Sequence, residues 1–223
     1  MLRVRRIVDL SIVLDADTQV YPGDPKPDLR RATRIETEGF NVLSLHLGSH
    51  SGTHVDAPYH VVEAGARLED LDLSLFAGPG VIVDVSGHGD RSPIAWEAIR
   101  PHADRLEAGA ILALRTGWSE RHYGTDRYYD HPFLDPDAAR RILDLGVRTL
   151  AVDALNPDPT ALEGTSELPV HDLWLGAGGV VVENLTNLSA VDFPDPVLSL
   201  LPIRLGGDAD GAPCRAVALE LAP

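Results

Sequence analysis

The histidines of this chain are concentrated in one short segment. Four of its nine histidines lie between residues 46 and 60, and the run HSGTHVDAPYH, which begins at His50, contains three of them. His50 and His54 are four residues apart, a spacing that would place both on one face of a helix. Gly52 and the nearby Pro58 disfavour a regular helix, so we predict an irregular turn that directs both imidazoles toward one polar space.

The residue types in this run are those of a catalytic metal site. Pro58 favours extended backbone at Ala57, which is expected to bring the Asp56 carboxylate beside the His54 imidazole. Two imidazoles and a carboxylate suit Zn²⁺ or Mn²⁺ and leave room for water. A water bound to such an ion ionises near neutral pH, and His60 is close enough in sequence to accept its proton. The run therefore predicts a hydrolytic site with His60 as the acid/base group.

Two other interpretations of the run remain open at this stage. Its histidines could lie on an ordinary polar loop and be satisfied by backbone hydrogen bonds. Alternatively, the ion could be a structural clamp in a binding protein without turnover. A structural zinc site is normally saturated by four protein ligands, whereas this run combines a carboxylate with a spare histidine. Metal-dependent turnover of an amide distinguishes the enzyme from the binding protein.

Two more acidic residues follow apolar segments typical of strands. Asp153 follows Ala151 and Val152, and Glu183 follows three valines that would bury its carboxylate unless a cation compensates. His171 is placed at the start of a short helix and could bind the same cation. Open α/β sheets bind ligands at the carboxyl ends of their strands, where both acids fall. From spacing alone, a structural role for His171 and Glu183 is the alternative.

Short apolar segments typical of strands recur along the chain. They cover residues 6–13, 42–48, 81–85, 111–115, 149–153, 179–183, 198–205 and 215–221. In the second segment Leu43, Leu45 and Leu47 alternate with polar residues, so we expect these leucines to be buried on one face. The last two segments flank a polar loop at 206–211 and predict a β-hairpin.

Helix signals separate some of these strands. Ser92-Pro93 predicts a helix that ends near Arg100, since proline is favoured at the first helical position. Asp135-Pro136 repeats the signal for a helix over 137–145, which Gly146 would end in the left-handed conformation. A third, shorter helix is predicted over 171–175. Strands outnumber helices, so we predict a mixed α/β fold, with a mixed sheet flanked by helices, in a single domain over residues 1–223.

Composition narrows the choice of partners and ligands. The chain has 19 Lys+Arg against 34 Asp+Glu, and its net charge of −15 argues against a nucleic-acid partner. No segment approaches the roughly 18 apolar residues of a membrane span, and Asp9 interrupts the first apolar run, so we expect a cytoplasmic protein without a membrane partner. Cys214 is the single cysteine, so a thiolate zinc cluster is excluded and any metal must use His, Asp or Glu.

The run HSGTHVDAPYH resembles the HxGTHxDAPxH signature of the cyclase family of metal-dependent hydrolases, which includes bacterial kynurenine formamidases and isatin hydrolases. Further matches follow the family's order over most of the chain. They are Tyr21-Pro22-Gly23-Asp24-Pro25, Leu114-Arg115-Thr116-Gly117-Trp118, Val152-Asp153 with Asp158-Pro159, and His171 followed by Val182-Glu183-Asn184-Leu185. The eleven-residue signature is specific, whereas the other matches are weak singly.

The resemblance implies a swivelling β/β/α fold with two divalent ions, Zn or Mn, in each subunit. Asp56 is implied to bridge the two ions, and His60 is implied to be the acid/base group. The implied metal ligands are His50, His54, Asp56, His171 and Glu183. Thr53 and Tyr59 are expected to orient these ligands. The resemblance also implies a homo-oligomer, either a dimer or a tetramer.

The expected reaction is hydrolysis of an amide, a lactam or a related cyclic acyl compound, a small molecule, by metal-bound hydroxide. Arylformamidase activity, which converts N-formylkynurenine to kynurenine and formate, is the alternative within this class. Kynurenine formamidases usually carry tryptophan where this chain has Tyr21, in the loop expected to bind the substrate. Tyrosine offers a smaller aromatic face with a polar hydroxyl, so we predict a smaller or more polar preferred substrate.

Overall fold

The computed structural model describes residues 2–163 and 167–223. Strands account for much of this part of the chain. They are β1 (Arg3–Asp9), β2 (Asp28–Thr33), β3 (Val42–His46), β4 (His54–Asp56), β5 (Ala77–Asp84), β6 (Pro93–Ile94), β7 (Ile111–Arg115), β8 (Phe133–Leu134), β9 (Thr149–Val152), β10 (Val180–Glu183), β11 (Val197–Ser199), β12 (Gly211–Pro213) and β13 (Val217–Ala222).

The helices are short. The α-helices are α1 (Ile35–Glu38), α2 (Trp96–Ile99), α3 (Trp118–His122), α4 (Pro136–Asp144) and α5 (Pro169–Gly176). Short 3₁₀ helices lie at Pro58–His60, Leu68–Asp70, Leu73–Leu75, Arg100–Arg105, Asp126–Asp130 and Leu188–Ala190.

Nine strands form one mixed sheet in the order β1-β13-β11-β5-β7-β9-β10-β4-β12. The four central strands, β5, β7, β9 and β10, are parallel. The strands on both sides of them are antiparallel, and β4 pairs with β10 on one side and with β12 on the other. The mixed α/β fold, with a large mixed sheet flanked by helices, is therefore confirmed.

Both faces of the parallel centre are buried. On one face Leu112, Leu114 and Val181 pack in a core that also contains Ile142 of α4 and Trp174 of α5. The residues that alternate with them contribute to a second core on the opposite face. A parallel sheet covered on both faces accounts for the nearly continuous apolar sequence of its strands. This rigid centre fixes the position of the strand ends, where the polar residues begin.

Helix α4 follows the sequence prediction to within one residue at each end. Asp135 accepts hydrogen bonds from the backbone N–H groups of Asp137 (2.8 Å) and Ala138 (3.2 Å), with Pro136 at the first helical position. Gly146 follows the helix with a φ of +97°, which glycine adopts without steric cost.

The helix predicted to begin at Ser92-Pro93 is wrong at its start. Pro93 and Ile94 instead form β6, which pairs in parallel with β8. The Ser92 carbonyl accepts a hydrogen bond from the Phe133 N–H at 3.1 Å, so tertiary pairing overrides the local helix signal. The helix, α2, starts only at Trp96.

The prediction of buried leucines in the second strand is also wrong. β3 pairs with β2 in a separate two-stranded sheet, and Leu43 and Leu45 are 52% and 55% exposed. These strands and α1 between them, residues 28–46, form a projection that we call the arm. The alternation of leucines does mark a strand, but no core layer covers the arm within the described residues.

The two strands of the predicted closing hairpin do pair, but the connection between them is longer than predicted and contains another strand. β11 and β13 are antiparallel neighbours, as expected. The earlier strand ends at Ser199 rather than at residue 205, and the connection contains β12, which pairs with β4 at the other end of the sheet. The loop before β12 is thereby brought next to the histidine-rich run.

Candidate metal centre

Strand pairing brings three of the predicted ligands onto one face. His54 and Asp56 are two residues apart on β4 and share a face, while Val55 between them enters the core. Glu183, the last residue of β10, lies opposite His54 in the antiparallel ladder. All three ligand side chains are buried. Their convergence follows from the register of two short strands.

The segment 50–53 folds as the irregular turn that the sequence predicts. Gly52 has a φ of +68°, in the left-handed region that favours glycine. The Thr53 hydroxyl accepts a hydrogen bond from the Ile12 N–H (2.9 Å) and donates one to the Asn184 carbonyl (2.6 Å). Thr53 therefore ties the start of β4 to the residue that follows Glu183.

Helix α5 contributes His171, and a buried carboxylate fixes its orientation. Asp158 accepts hydrogen bonds from the backbone N–H groups of Val170 (2.8 Å) and His171 (3.0 Å) at the start of the helix. The same carboxylate lies 2.7 Å from His171 Nδ1. The Nδ1 proton is directed to Asp158, so in the neutral imidazole Nε2 is the nitrogen left to bind an ion.

The two oxygens of Asp56 face two different groups of ligands. Oδ1 lies 2.6 Å from His50 Nδ1 and 3.2 Å from His54 Nε2. Oδ2 lies 3.6 Å from His171 Nε2, which is itself 3.1 Å from Glu183 Oε1. One carboxylate is therefore shared between a group formed with His50 and His54 and a group formed with His171 and Glu183.

The donor atoms of both groups fit a divalent cation. His54 Nε2, Asp56 Oδ2 and Glu183 Oε1 are buried and have no hydrogen-bond partner within the described residues. An unsatisfied buried polar atom costs about 1–3 kcal/mol. An ion in the first group would satisfy His54 Nε2, and an ion in the second group would satisfy Asp56 Oδ2 and Glu183 Oε1. Tetrahedral zinc with nitrogen and oxygen ligands sets neighbouring donor atoms about 3.4 Å apart. The distances of 3.1 to 3.6 Å that involve these three atoms agree with that spacing.

Without an ion, the imidazoles of the site retain protons. Burial disfavours the charged form of His50, but Asp56 and Asp210 outweigh this effect and raise the pKa of His50 to about 9. The pKa values of His54 and His171 are likewise raised well above their usual range, against the effect of burial, by neighbouring carboxylates. An imidazole must be neutral to bind a metal, so an incoming cation displaces these protons.

We therefore expect metal affinity to depend strongly on pH. Below pH 9 the free site holds a proton on His50 that binding must expel, and each displaced proton contributes a factor of ten per pH unit. Between pH 8 and pH 6 the affinity for Zn²⁺ or Mn²⁺ should fall by at least about 100-fold. Competition with a chelating dye, calibrated at each pH, measures this change. An affinity that stays constant over this interval would contradict the assigned ligands.

Both ligand groups open onto one cavity of about 190 Å³. Leu155 and Leu168 supply apolar walls, and Tyr21 lines the cavity together with His60. The ring of Tyr21 packs against an aromatic cluster that contains Tyr128. The structure thus places the residue predicted to bind substrate and the residue predicted to act as the acid/base group in the same cavity as the metal ligands.

His60 and Tyr59 lie on the same 3₁₀ turn but face different surroundings. The ring of His60 lies 4.1 Å from that of His50 and 5.9 Å from that of His171, between centroids. The ring of Tyr59 instead lies under the guanidinium of Arg67, at 3.8 Å. In the described residues no hydrogen bond joins Tyr59 to a predicted ligand, so the geometry gives no support to its predicted orienting role.

Sequence patterns do not assign two carboxylates of the site, Asp158 and Asp210. Asp158 belongs only to a weak family match and Asp210 to the predicted polar loop at 206–211, yet they contact His171 and His50 respectively. Asp153, predicted at a strand end, lies outside the ligand groups. It accepts hydrogen bonds from the backbone N–H groups of Thr116 and Gly117. No local pattern marks Asp210, because its partners are 150 or more residues earlier in the sequence.

Helices of membrane-spanning length and hydropathy are absent from residues 2–163 and 167–223.

Comparison with known proteins finds a matching family and similar proteins that cover almost the whole chain. The sequence model of a family described as putative cyclase matches residues 8–159. A kynurenine formamidase of Salinibacter ruber is 35% identical over 216 residues, which cover 95% of this chain and 96% of that protein.

Two solved structures are similar over almost the whole chain. An isatin hydrolase bound to the product analogue thioisatinate superposes with a TM-score of 0.85 at 24% identity, covering 96% of this chain and 92% of that one. A potential metal-dependent hydrolase with cyclase activity superposes with a TM-score of 0.75 at 27% identity, covering 100% of both chains.

Proposed function

Because the chain belongs to the cyclase family and is a metal-dependent amidohydrolase, we propose that it hydrolyses a small amide, lactam or related cyclic acyl compound. The observation that carries this proposal is the shared carboxylate of Asp56, whose two oxygens face two buried ligand groups at the base of one cavity. Such an arrangement suits two divalent ions, Zn²⁺ or Mn²⁺, close enough to act on one substrate.

The two ligand groups would hold the ions with different donor atoms on each side of Asp56. His50 and His54 present nitrogens to Oδ1, while Glu183 adds a second carboxylate beside His171 and Oδ2. Among the described residues each group has three candidate protein ligands, which would leave positions open, as catalytic sites require. When bound, a divalent ion would polarise the substrate carbonyl and lower the pKa of the attacking water.

His60 moves the proton in this proposal. It lines the cavity, and its side chain is about a quarter exposed, so it reaches substrate and solvent. The imidazole accepts a proton from the attacking water as the C–O bond forms. It then donates that proton to the leaving nitrogen as the C–N bond breaks, giving a carboxylic acid and an amine. Thr53 holds β4 in register with the end of β10 during this cycle.

The cavity favours a small substrate. Its volume of about 190 Å³ lies below the roughly 300–1,000 Å³ of pockets for drug-sized ligands. Leu155, Leu168 and the ring of Tyr21 would enclose a flat, mostly apolar body beside the ions. Arylformamidase activity on N-formylkynurenine is the second candidate, and the relation to the Salinibacter ruber kynurenine formamidase favours it.

Tyr21→Trp separates these two candidates. If this position selects the substrate, the larger ring of tryptophan should raise kcat/KM for N-formylkynurenine by about tenfold, the effect of a contact worth about 1.4 kcal/mol. Steady-state kinetics of both proteins on N-formylkynurenine and on a small lactam measures the change, and Tyr21→Phe controls for the hydroxyl. Wild-type turnover of N-formylkynurenine above about 10⁴ M⁻¹s⁻¹, the floor typical of enzymes on their own substrates, would instead make the chain an arylformamidase.

The overall activity is tested by reconstitution. Protein stripped with a chelator is loaded with Zn²⁺ or Mn²⁺ and assayed on formamides, lactams and lactones. We expect turnover of at least one amide or cyclic acyl compound. This activity should disappear when the metal is removed and return when the metal is restored. Tight metal binding without turnover of any of them would favour a metal-clamped binding protein.

We further propose that the protein is a homo-oligomer, a dimer or a tetramer, assembled through the arm. Its apolar residues are exposed, including Phe40, Leu43 and Leu45, an arrangement typical of interaction sites. The three arginines of the arm are matched by Asp28, Glu36 and Glu38, so this apolar surface has no net charge that would repel a second copy. Analytical ultracentrifugation should find an oligomer for the wild type and a smaller species for Leu43→Glu. A monomeric wild type would contradict the proposal.

A further inference from the structure

The loop before β12 brings Asp210 into contact with the metal centre. β12 is the edge strand beside β4, and Gly211 lies opposite Asp56 in the ladder. The Asp210 carbonyl accepts a hydrogen bond from the Ala57 N–H at 2.9 Å. The backbone of Asp210 is therefore fixed to the strand that carries two predicted ligands, although the residue lies more than 150 positions later in the chain.

The carboxylate of Asp210 lies between the two histidines with different predicted roles. Its Oδ2 is 3.0 Å from His50 Nε2 and 3.5 Å from His60 Nδ1. His50 presents its other nitrogen, Nδ1, to Asp56 at 2.6 Å. The His50 imidazole thus has one nitrogen at the ligand group and the other at Asp210.

Gly211 makes this arrangement sterically possible. A Cβ atom at position 211 would lie 2.9 Å from His50 Cε1 and 2.6 Å from the Val55 carbonyl oxygen, both too close for any side chain. The imidazole of His50 is therefore packed directly against the backbone beside Asp210. Close packing of this kind restricts rotation of the ring and holds Nε2 within hydrogen-bond distance of the carboxylate.

We propose, on the basis of the function proposed above, that Asp210 is a positioning residue that links the metal ligand His50 to the acid/base group His60. By accepting the Nε2 proton of His50, Asp210 leaves Nδ1 free to bind the ion and makes it a stronger donor. By attracting the Nδ1 proton of His60, it leaves Nε2 of that imidazole as the proton acceptor. One carboxylate then sets the tautomers of both histidines.

A third ion among His50, His60 and Asp210 is the competing interpretation of the same cluster, since their donor atoms lie within 4.8 Å of one another. That arrangement would require His50 to bind an ion through each nitrogen. An imidazole can do so only after losing both protons, which is unfavourable near neutral pH. The hydrogen-bonded arrangement needs no such loss.

The test compares Asp210→Asn, Asp210→Ala and Asp210→Glu with wild-type holoenzyme. The first readout is the affinity for Zn²⁺, measured by competition with a chelator. Asp210→Asn and Asp210→Ala should each weaken it by about 10- to 100-fold, the usual effect of removing a partner of a ligating histidine. The second readout is kcat at saturating metal, which should still fall in both variants because His60 loses its orienting partner. Asp210→Glu, which retains a carboxylate, should recover part of both losses.

Asp208→Asn is the matched control, because Asp208 lies on the same loop and pairs with Arg67 instead. It should leave metal affinity and kcat unchanged. Wild-type affinity and kcat in Asp210→Asn would overturn the proposal, and so would a wild-type stoichiometry of three ions that falls to two in the variant. A wild-type protein without metal-dependent turnover would instead overturn the proposed function, so the two failures are distinguishable.

Discussion

Asp56→Ala should retain less metal than any other single substitution in the site. The two oxygens of Asp56 serve both ligand groups, so the variant loses a donor from each at once. Removing the shared carboxylate also removes the negative charge that lies between two cations, which then repel each other. We expect purified Asp56→Ala to contain almost no metal and to have no detectable amidase activity.

Plasma emission analysis measures the metal content after extensive dialysis. Asp104→Ala, which removes an exposed carboxylate outside the site, is the control and should keep the wild-type content. His54→Ala should lose mainly the ion on the Oδ1 side, because His54 belongs to that group. A full metal content in Asp56→Ala would show that the carboxylate does not bridge.

His60→Ala should separate metal content from activity. His60 lines the cavity but supplies none of the atoms that cluster around Asp56 in the two ligand groups. The variant is therefore expected to keep its metal while kcat falls by about 10² to 10⁴, the usual contribution of a positioned acid/base group. His102→Ala removes a histidine of the 3₁₀ helix Arg100–Arg105 that does not line the cavity, and it controls for the loss of an imidazole.

Metal analysis and steady-state kinetics on the same preparation are required, because either measurement alone is ambiguous. A parallel loss of metal and activity in His60→Ala would make His60 a ligand rather than a proton carrier. Full activity with full metal content would remove it from the mechanism.

The histidine-rich run could be interpreted from sequence because its signals are local. His54 and Asp56 are two residues apart, and Gly52 and Pro58 restrict the backbone around them, so their convergence does not depend on distant parts of the chain. Glu183 is singled out because a carboxylate after three valines needs compensation, and the resemblance to the cyclase family then implies its role as a ligand. The alternation and length of apolar segments likewise predicted the mixed sheet.

The features of the fold and the site that the sequence did not reveal depend on pairing between strands far apart in the chain. Asp210 reaches His50 only because β12 joins the edge of the sheet beside β4, and nothing in the loop sequence indicates that pairing. Ser92-Pro93 has the residue types that usually begin a helix, but Pro93 pairs with β8 instead. Leu43 and Leu45 alternate as buried strand residues do, although the arm carries them away from the core.

The most direct test of a two-ion centre bridged by Asp56 is anomalous X-ray diffraction from crystals of the Mn²⁺-loaded wild-type protein. We predict two anomalous peaks in each chain, one on either side of Asp56. The first should lie among His50, His54 and Asp56, and the second among Asp56, His171 and Glu183. A single peak, or a peak that Asp56 does not contact, would contradict this prediction.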